Sequence, residues 1–140
     1  MPLSRGEKRE PQFRFILDWE FRRAQESHTS FTLFLIEGLD QTGKPENNPS
    51  SQLEEVLKKC FGRKRDILFK RDRDTIWAAF CEADLKGAQV IRQRIEGEIQ
   101  KHFMKGYDQP PVIKVGTATY PEEAITKREL FRRAKTQLRG

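Results

Sequence analysis

The feature of this sequence that most constrains its fold is the order of its helix-like and strand-like segments. Apolar residues recur at every third or fourth position in some segments, which is the period of an amphipathic helix. Shorter segments are almost continuously apolar and rich in branched and aromatic residues, as buried strands are. The predicted elements are, in chain order, a helix over residues 12–27, a strand at Phe31–Ile36, a helix from an N-cap at Ser50 or Ser51 to Phe61, strands at Ile67–Lys70 and Thr75–Phe80, a helix over 85–103, a strand at Val112–Tyr120 and a helix from Thr126 to Leu138.

This order predicts a mixed α/β (α+β) domain in which helices cover one central sheet that contains a split β-α-β pattern. The 140 residues, 36% of them hydrophobic, are enough for one packed core and too few for two ordinary domains. We therefore expect a flexible N-terminal segment over residues 1–10 and a single domain over residues 11–140.

Composition narrows the classes of function. The chain has no apolar run long enough to span a bilayer and its first residues are polar, so we expect a soluble, cytoplasmic protein that does not contact a membrane. Cys60 and Cys81 both fall in apolar patterns, as reduced, partly buried thiols do, and His28 and His102 are the two histidines, which argues against a zinc site. The net charge of +6 favours anionic partners such as nucleotides, nucleic acid or acidic proteins, although a mixed-sign solvated surface is the simpler alternative.

Two motifs resemble the GGDEF family, the diguanylate cyclase domains. Val115–Pro121 (VGTATYP), followed by Leu130–Ala134 (LFRRA), is similar to the family's glycine-containing strand, its Pro-ended turn and its final helix. The segment Phe31–Asp40 is similar to the strand that ends in the family's Asp-x-Asp metal motif. The resemblance spans residues 13–138 and implies a nucleotidyl cyclase-like fold with a mostly antiparallel sheet flanked by helices.

The metal motif departs from the family pattern. When Asp40 is aligned with the second family aspartate, Gly38 stands where the first metal-binding carboxylate belongs, and Thr42-Gly43 replaces Phe-Lys. A glycine has no side chain with which to ligate magnesium. Glu37 is a neighbouring carboxylate, but adjacent side chains on a strand point to opposite faces, so we do not expect it to substitute.

The signature hairpin departs as well. Asp72, Arg73, Asp74, Thr75 and Ile76 occupy the place of Gly-Gly-Asp-Glu-Phe, and only Asp74 keeps the family residue. The family's two glycines let the turn backbone approach the substrate phosphates, which Asp72 opposes with bulk and negative charge. We also expect the basic residues that follow the family's final helix to be missing after Gly140. The resemblance therefore implies a degenerate domain with no catalytic residues, no metal and no cofactor, and hence no cyclase activity.

One ligand motif of the family is retained. Arg63 and Asp66 form an Arg-x-x-Asp motif that five residues separate from Asp72, the spacing found in cyclases that are inhibited by their product, cyclic di-GMP. In the family a further arginine from the next helix completes this site, and Arg94 stands at the matching position, with Arg92 close to it. An arginine can pair with a guanine edge or a phosphate, and a carboxylate can accept from guanine N–H groups. The alternative is that residues 63–66 are only a solvated, charged turn.

We thus predict a cyclic di-GMP receptor whose response reaches another signalling protein or a second copy of itself. The alternative is a ligand-independent interaction module that presents the charged turn Arg71–Asp74 to a protein partner. Nucleic-acid binding is suggested by charge alone, because the basic residues are spread over several elements and no recognised motif accompanies them. Enzymatic activity would require Asp40 and Asp74 to hold a metal without the missing carboxylate.

Overall fold

The fold was analysed in a computed structural model that describes residues 5–39, 50–70, 76–103 and 111–139. None of the helices in these ranges is both long and apolar enough to cross a lipid bilayer. The elements follow the predicted order and are α1 (Arg5–Ser27), β1 (Phe31–Leu39), α2 (Ser50–Cys60), β2 (Ile67–Lys70), β3 (Ile76–Cys81), α3 (Leu85–Phe103), β4 (Val112–Tyr120) and α4 (Lys127–Arg139).

The strands form one antiparallel sheet in the order β2-β3-β1-β4. Strand β1 is central and pairs with β3 on one side and β4 on the other. Because β1 and β2 are both antiparallel to β3, they run in the same direction with β3 between them. This is the split β-α-β arrangement, and the predicted α+β class with a helix-flanked, antiparallel sheet is confirmed.

Each face of the sheet carries its own core. Side chains alternate along β1, so that Phe34 and Ile36 pack under α2 and α3, whereas Leu33 and Leu35 pack under α1 and α4. All four of these side chains are fully buried. The segment FTLFLI therefore reads as continuously apolar because both of its faces are covered by helices.

Side chains close the outer edge of β4. The side-chain amide of Gln137 accepts from the backbone N–H of Thr117 at 3.1 Å and donates to its carbonyl at 2.7 Å, as a neighbouring strand would. Gly116 lets helix α4 approach this strand, because a Cβ at that position would overlap the backbone carbonyl of Ala134. The glycine of the VGTATYP motif is therefore required by packing.

The N-terminal boundary differs from the prediction. Helix α1 begins at Arg5 rather than at residue 12, and Pro11 lies inside it. The residues from Glu7 to Glu10 are good helix formers, but the segment before Pro11 carries no apolar periodicity by which a helix could be predicted. The backbone before Pro11, expected to be loose, is thus helical from Arg5 onward.

A capping hydrogen bond at Thr126 confirms the predicted start of the last helix. The hydroxyl of Thr126 accepts a hydrogen bond from the backbone N–H of Glu129 at 3.1 Å, as an N-cap does. Strand β1 is longer than predicted and runs through Glu37 and Gly38 to Leu39.

Candidate functional site

The two residues of the Arg-x-x-Asp motif lie in one closed turn between α2 and β2. The backbone N–H of Asp66 donates to the carbonyl of Arg63 at 3.1 Å. In return, the backbone N–H of Arg63 donates to Oδ2 of Asp66, also at 3.1 Å. These reciprocal bonds fix the position of the Asp66 carboxylate relative to the Arg63 backbone.

The two side chains of the motif have different environments. The Arg63 side chain is exposed, and within the described ranges it makes no ion pair. Asp66 is half-buried and lies beside the thiol of Cys81 at the end of β3. Burial raises the pKa of the Cys81 thiol strongly, and the negative charge of Asp66 raises it further. The carboxylate is therefore held near the sheet while the guanidinium reaches into solvent.

The third predicted residue, Arg94, lies on the exposed face of α3. Burial raises the pKa of the Cys60 thiol, and the Arg94 charge acts in the opposite direction by stabilising the thiolate. This influence places Arg94 near Cys60, the last residue of α2, which precedes Arg63 by three positions. The charge of Arg94 thus acts at the C-terminal end of α2, where the turn begins, and among the described residues no hydrogen bond or ion pair joins Arg94 to Arg63 or Asp66.

The neighbouring arginine, Arg92, is engaged in a different way. Its Nε pairs with Glu96 at 3.2 Å, Nη1 donates to Gln137 at 3.0 Å and Nη2 donates to the carbonyl of Val115 at 3.0 Å. These bonds tie α3 to β4 and α4, so the donors of Arg92 are committed to holding the fold together. Between the two candidates, Arg94 is the one whose side chain is exposed.

The region of the family's metal motif lies at the end of β1. Gly38 is buried and pairs in register with Ile113 of β4. Glu37 pairs with Ile76, whose side chain belongs to the core under α1 and α4. Residues opposite one another in a sheet point to the same face, so Glu37 lies on the face opposite to position 38. The register thus places Glu37 and position 38 on opposite faces, as expected for adjacent strand residues, and that Glu37 does not replace the missing carboxylate stays a prediction.

The hairpin signature is described only at its last residue. Ile76 begins β3 and is buried, at 8% exposure, in the core under α1 and α4. Asp40, Thr42 and Gly43 lie outside the described residues, and so do Asp72, Arg73, Asp74 and Thr75.

An ion-pair chain that the sequence did not suggest connects the turn to α1. Arg65, between the two motif residues, pairs with Glu82 at 2.8 Å. The same carboxylate oxygen lies 3.5 Å from Arg23 of α1, which also pairs with Glu20 at 2.6 Å. The hydrogen bond from Arg65 lowers the pKa of Glu82. Glu82 is far in sequence from both Arg65 and Arg23, so no local sequence pattern predicts these two pairs.

Solved structures with the same fold were found, although no protein-family model and no curated protein sequence matches the chain. A DGC protein from Thermotoga maritima superposes with a TM-score of 0.73 at 19% identity, over 92% of this chain and 93% of that protein. The GGDEF domain of FimX from Pseudomonas aeruginosa gives 0.73 at 20% identity, over 93% and 85% of the two chains. The GGDEF domain of DgcB from Caulobacter crescentus, in complex with c-di-GMP, gives 0.75 at 13% identity, over 93% and 82%.

The chain therefore has the fold of GGDEF domains, the fold of the family that its sequence motifs resemble. The match extends over 92% and 93% of this chain in the first two of these structures. At these levels of identity the superpositions establish the fold alone.

Proposed function

We propose that this chain is a signalling domain of the GGDEF type that binds cyclic di-GMP through Arg63, Asp66 and Arg94 and does not synthesise it. The observation that carries the proposal is the closed turn in which the backbone of Arg63 holds the carboxylate of Asp66 at 3.1 Å. A site whose acceptor is already positioned loses less conformational entropy when a ligand binds.

The chemistry of the three side chains suits a guanine dinucleotide. Asp66 uses Oδ2 for the turn and also interacts with the Cys81 thiol, but an ionised carboxylate has about four acceptor sites, so Asp66 keeps capacity to accept from the N–H groups of a guanine edge. The planar guanidinium of Arg63 can donate two parallel hydrogen bonds to a guanine or a phosphate, and Arg94 supplies a second cation at the same end of α2. A neighbour with this fold, DgcB, has been solved in complex with c-di-GMP, which supports the choice of ligand.

The expected affinity is moderate. The site offers three charged groups, whose hydrogen bonds to a ligand are stronger than those of neutral groups, against the entropic cost of association. We expect a dissociation constant on the order of micromolar, a binding free energy of about 8 kcal/mol.

The environment of β1 supports the absence of cyclase activity. Phosphoryl transfer requires metal ions that neutralise the charge developing on the phosphates. Position 38 is a buried glycine with no side-chain ligand to offer, and Glu37 points to the other face of the sheet. With one carboxylate missing, the site lacks part of the coordination that holds magnesium against the triphosphate.

The proposal has two tests. Calorimetric titration of cyclic di-GMP should show saturable binding to the wild type and loss of at least about tenfold in affinity, about 1.4 kcal/mol, in Arg63→Ala. Arg65→Ala is the matched control, since it removes the same charge from the same turn but from a side chain that is paired with Glu82.

Incubation with GTP and magnesium tests the second half of the proposal, and no cyclic di-GMP should form. Magnesium-dependent product would show that the domain is an enzyme. Absence of any heat with cyclic di-GMP would leave the ligand-independent interaction module as the remaining hypothesis.

A further inference from the structure

A trough runs between α1 and α4 on the side of the sheet away from α2 and α3. Its first part, with a volume of about 400 Å³, is lined by Arg14 and Asp18 of α1 and by Lys127, Arg128 and Phe131 of α4. An adjoining depression of about 270 Å³, lined by residues of α4 alone, shares Arg128 and Phe131 and adds Arg132 and Lys135. We call the two together the α1–α4 trough.

The trough carries an excess of positive charge. Of the cations that line it, Lys127 is paired with Asp18 at 2.7 Å, and the ammonium group of Lys135 lies 5.5 Å from the centre of the Phe131 ring. Arg14, Arg128 and Arg132 have no carboxylate partner among the side chains that the structure describes. Cations gathered in a concave surface repel one another and raise the local concentration of anions.

Aromatic side chains accompany these charges. Phe131 is half-buried at the base of the trough, where its ring centroid lies 5.4 Å from that of Phe13. Phe15 and Trp19 follow Arg14 and Asp18 in sequence, about 100° further round α1, and are 69% and 58% exposed. At a spacing of four residues they are neighbours on the helix surface. The fold gives these two large aromatic side chains little to pack against, although most side chains of this kind are largely buried.

We propose that the α1–α4 trough is a binding surface for single-stranded nucleic acid, separate from the cyclic di-GMP site. A single strand presents both phosphates, which the arginines can neutralise, and unstacked bases, which can stack on aromatic faces. A duplex hides the faces of its bases, so Phe15 and Trp19 would have nothing to stack on. A flat anionic bilayer would contact only the rim of the trough, because it cannot enter a concave surface to reach the cations there.

The fold brings together basic residues that are far apart in the sequence. Arg14 and Arg128 are more than a hundred positions apart in the chain, yet they line the same cavity. The objection that basic residues are spread over several elements therefore does not apply to this face of the molecule.

Fluorescence anisotropy with a labelled oligothymidylate of about 20 nucleotides, longer than the site size of many single-strand binding folds, tests the proposal. Affinity should fall as salt rises from about 50 to about 200 mM. The variant Arg128→Ala/Arg132→Ala should bind more weakly and should reduce the slope of log K against log salt by about 1.4, since each phosphate contact on a single strand contributes roughly 0.7. Trp19→Ala should weaken binding by roughly five- to a hundredfold and leave the slope unchanged.

The matched control is Lys59→Ala/Lys101→Ala, which removes the same charge from exposed positions on α2 and α3, across the sheet from the trough. This variant should bind the oligonucleotide as the wild type does. Three outcomes would overturn the proposal: no binding at the lowest salt, equal losses in the two double variants, or capture by phosphatidylserine vesicles without binding to the oligonucleotide. Titration of cyclic di-GMP into Arg128→Ala/Arg132→Ala separates the two surfaces, because that affinity should be unchanged.

Discussion

The carboxylate of Asp66 accepts a hydrogen bond from the backbone N–H of Arg63 at 3.1 Å. The acidic residue of the candidate site therefore also stabilises the turn that contains its basic partner. A structural role and a ligand-binding role therefore coincide in one side chain. Substitutions that keep the hydrogen bond but change the charge separate the two roles.

Asp66→Asn and Asp66→Ala should behave differently. The amide oxygen of asparagine can still accept from Arg63, so Asp66→Asn should leave the free energy of unfolding within about 0.5 kcal/mol, whereas Asp66→Ala loses a hydrogen bond worth about 0.5–1.5 kcal/mol. Both should lose cyclic di-GMP binding, because the ligand needs the charged acceptor. Urea denaturation and calorimetry measure the two effects, and full ligand affinity in Asp66→Asn would show that the carboxylate charge is not used.

Replacing glycine by alanine should have opposite effects on stability at two positions, Gly116 and Gly97. Gly116→Ala should destabilise the fold by about 1–3 kcal/mol, because the new methyl group overlaps the Ala134 carbonyl and the helix must shift. Gly97→Ala should stabilise it by about 0.5–1 kcal/mol, because that glycine lies within α3 and its Cβ would meet no atom within 4 Å. Denaturant midpoints of the two variants check the prediction, and equal shifts would contradict the close approach of α4 to Gly116.

The Cys81 thiol should make the stability of the fold decrease at alkaline pH. Burial and the nearby Asp66 raise its pKa in the folded state, so the folded protein keeps a proton that the unfolded chain loses. The protonated Cys81 thiol contributes its full stabilisation at pH values below the unfolded thiol pKa of about 8.5. Above that pH the free energy of unfolding falls, by at most about 1.4 kcal/mol for each pH unit. Denaturation of the wild type and of Cys81→Ala at pH values on both sides of 8.5 isolates this term, and parallel losses in the two proteins would refute it.

Sequence patterns predicted most of the fold because each element has a strong local signal. The continuous apolar run of β1 and the apolar stripe of α3 are readable from the sequence, and α3 and β4 have the predicted bounds. The helical extension of α1 before Pro11 was not predicted, since its polar residues carry no periodicity.

The candidate site was only partly predictable. The Arg63 and Asp66 pair is a sequence motif, but its reciprocal hydrogen bonds depend on the shape of the turn. The pairing of Arg65 with Glu82, and the meeting of Arg14 with Arg128 in one trough, arise from tertiary packing. Such contacts join residues far apart in sequence, where local patterns carry no information.

The most direct measurement is a calorimetric titration of cyclic di-GMP into the wild-type protein, alongside Arg63→Ala and Arg65→Ala. We predict saturable binding on the order of micromolar for the wild type and for Arg65→Ala, and at least about a tenfold loss for Arg63→Ala. A wild type that releases no heat and gains no thermal stability at a ligand concentration of about 100 μM, where a micromolar site should add about 2.7 kcal/mol of stability, would contradict the account.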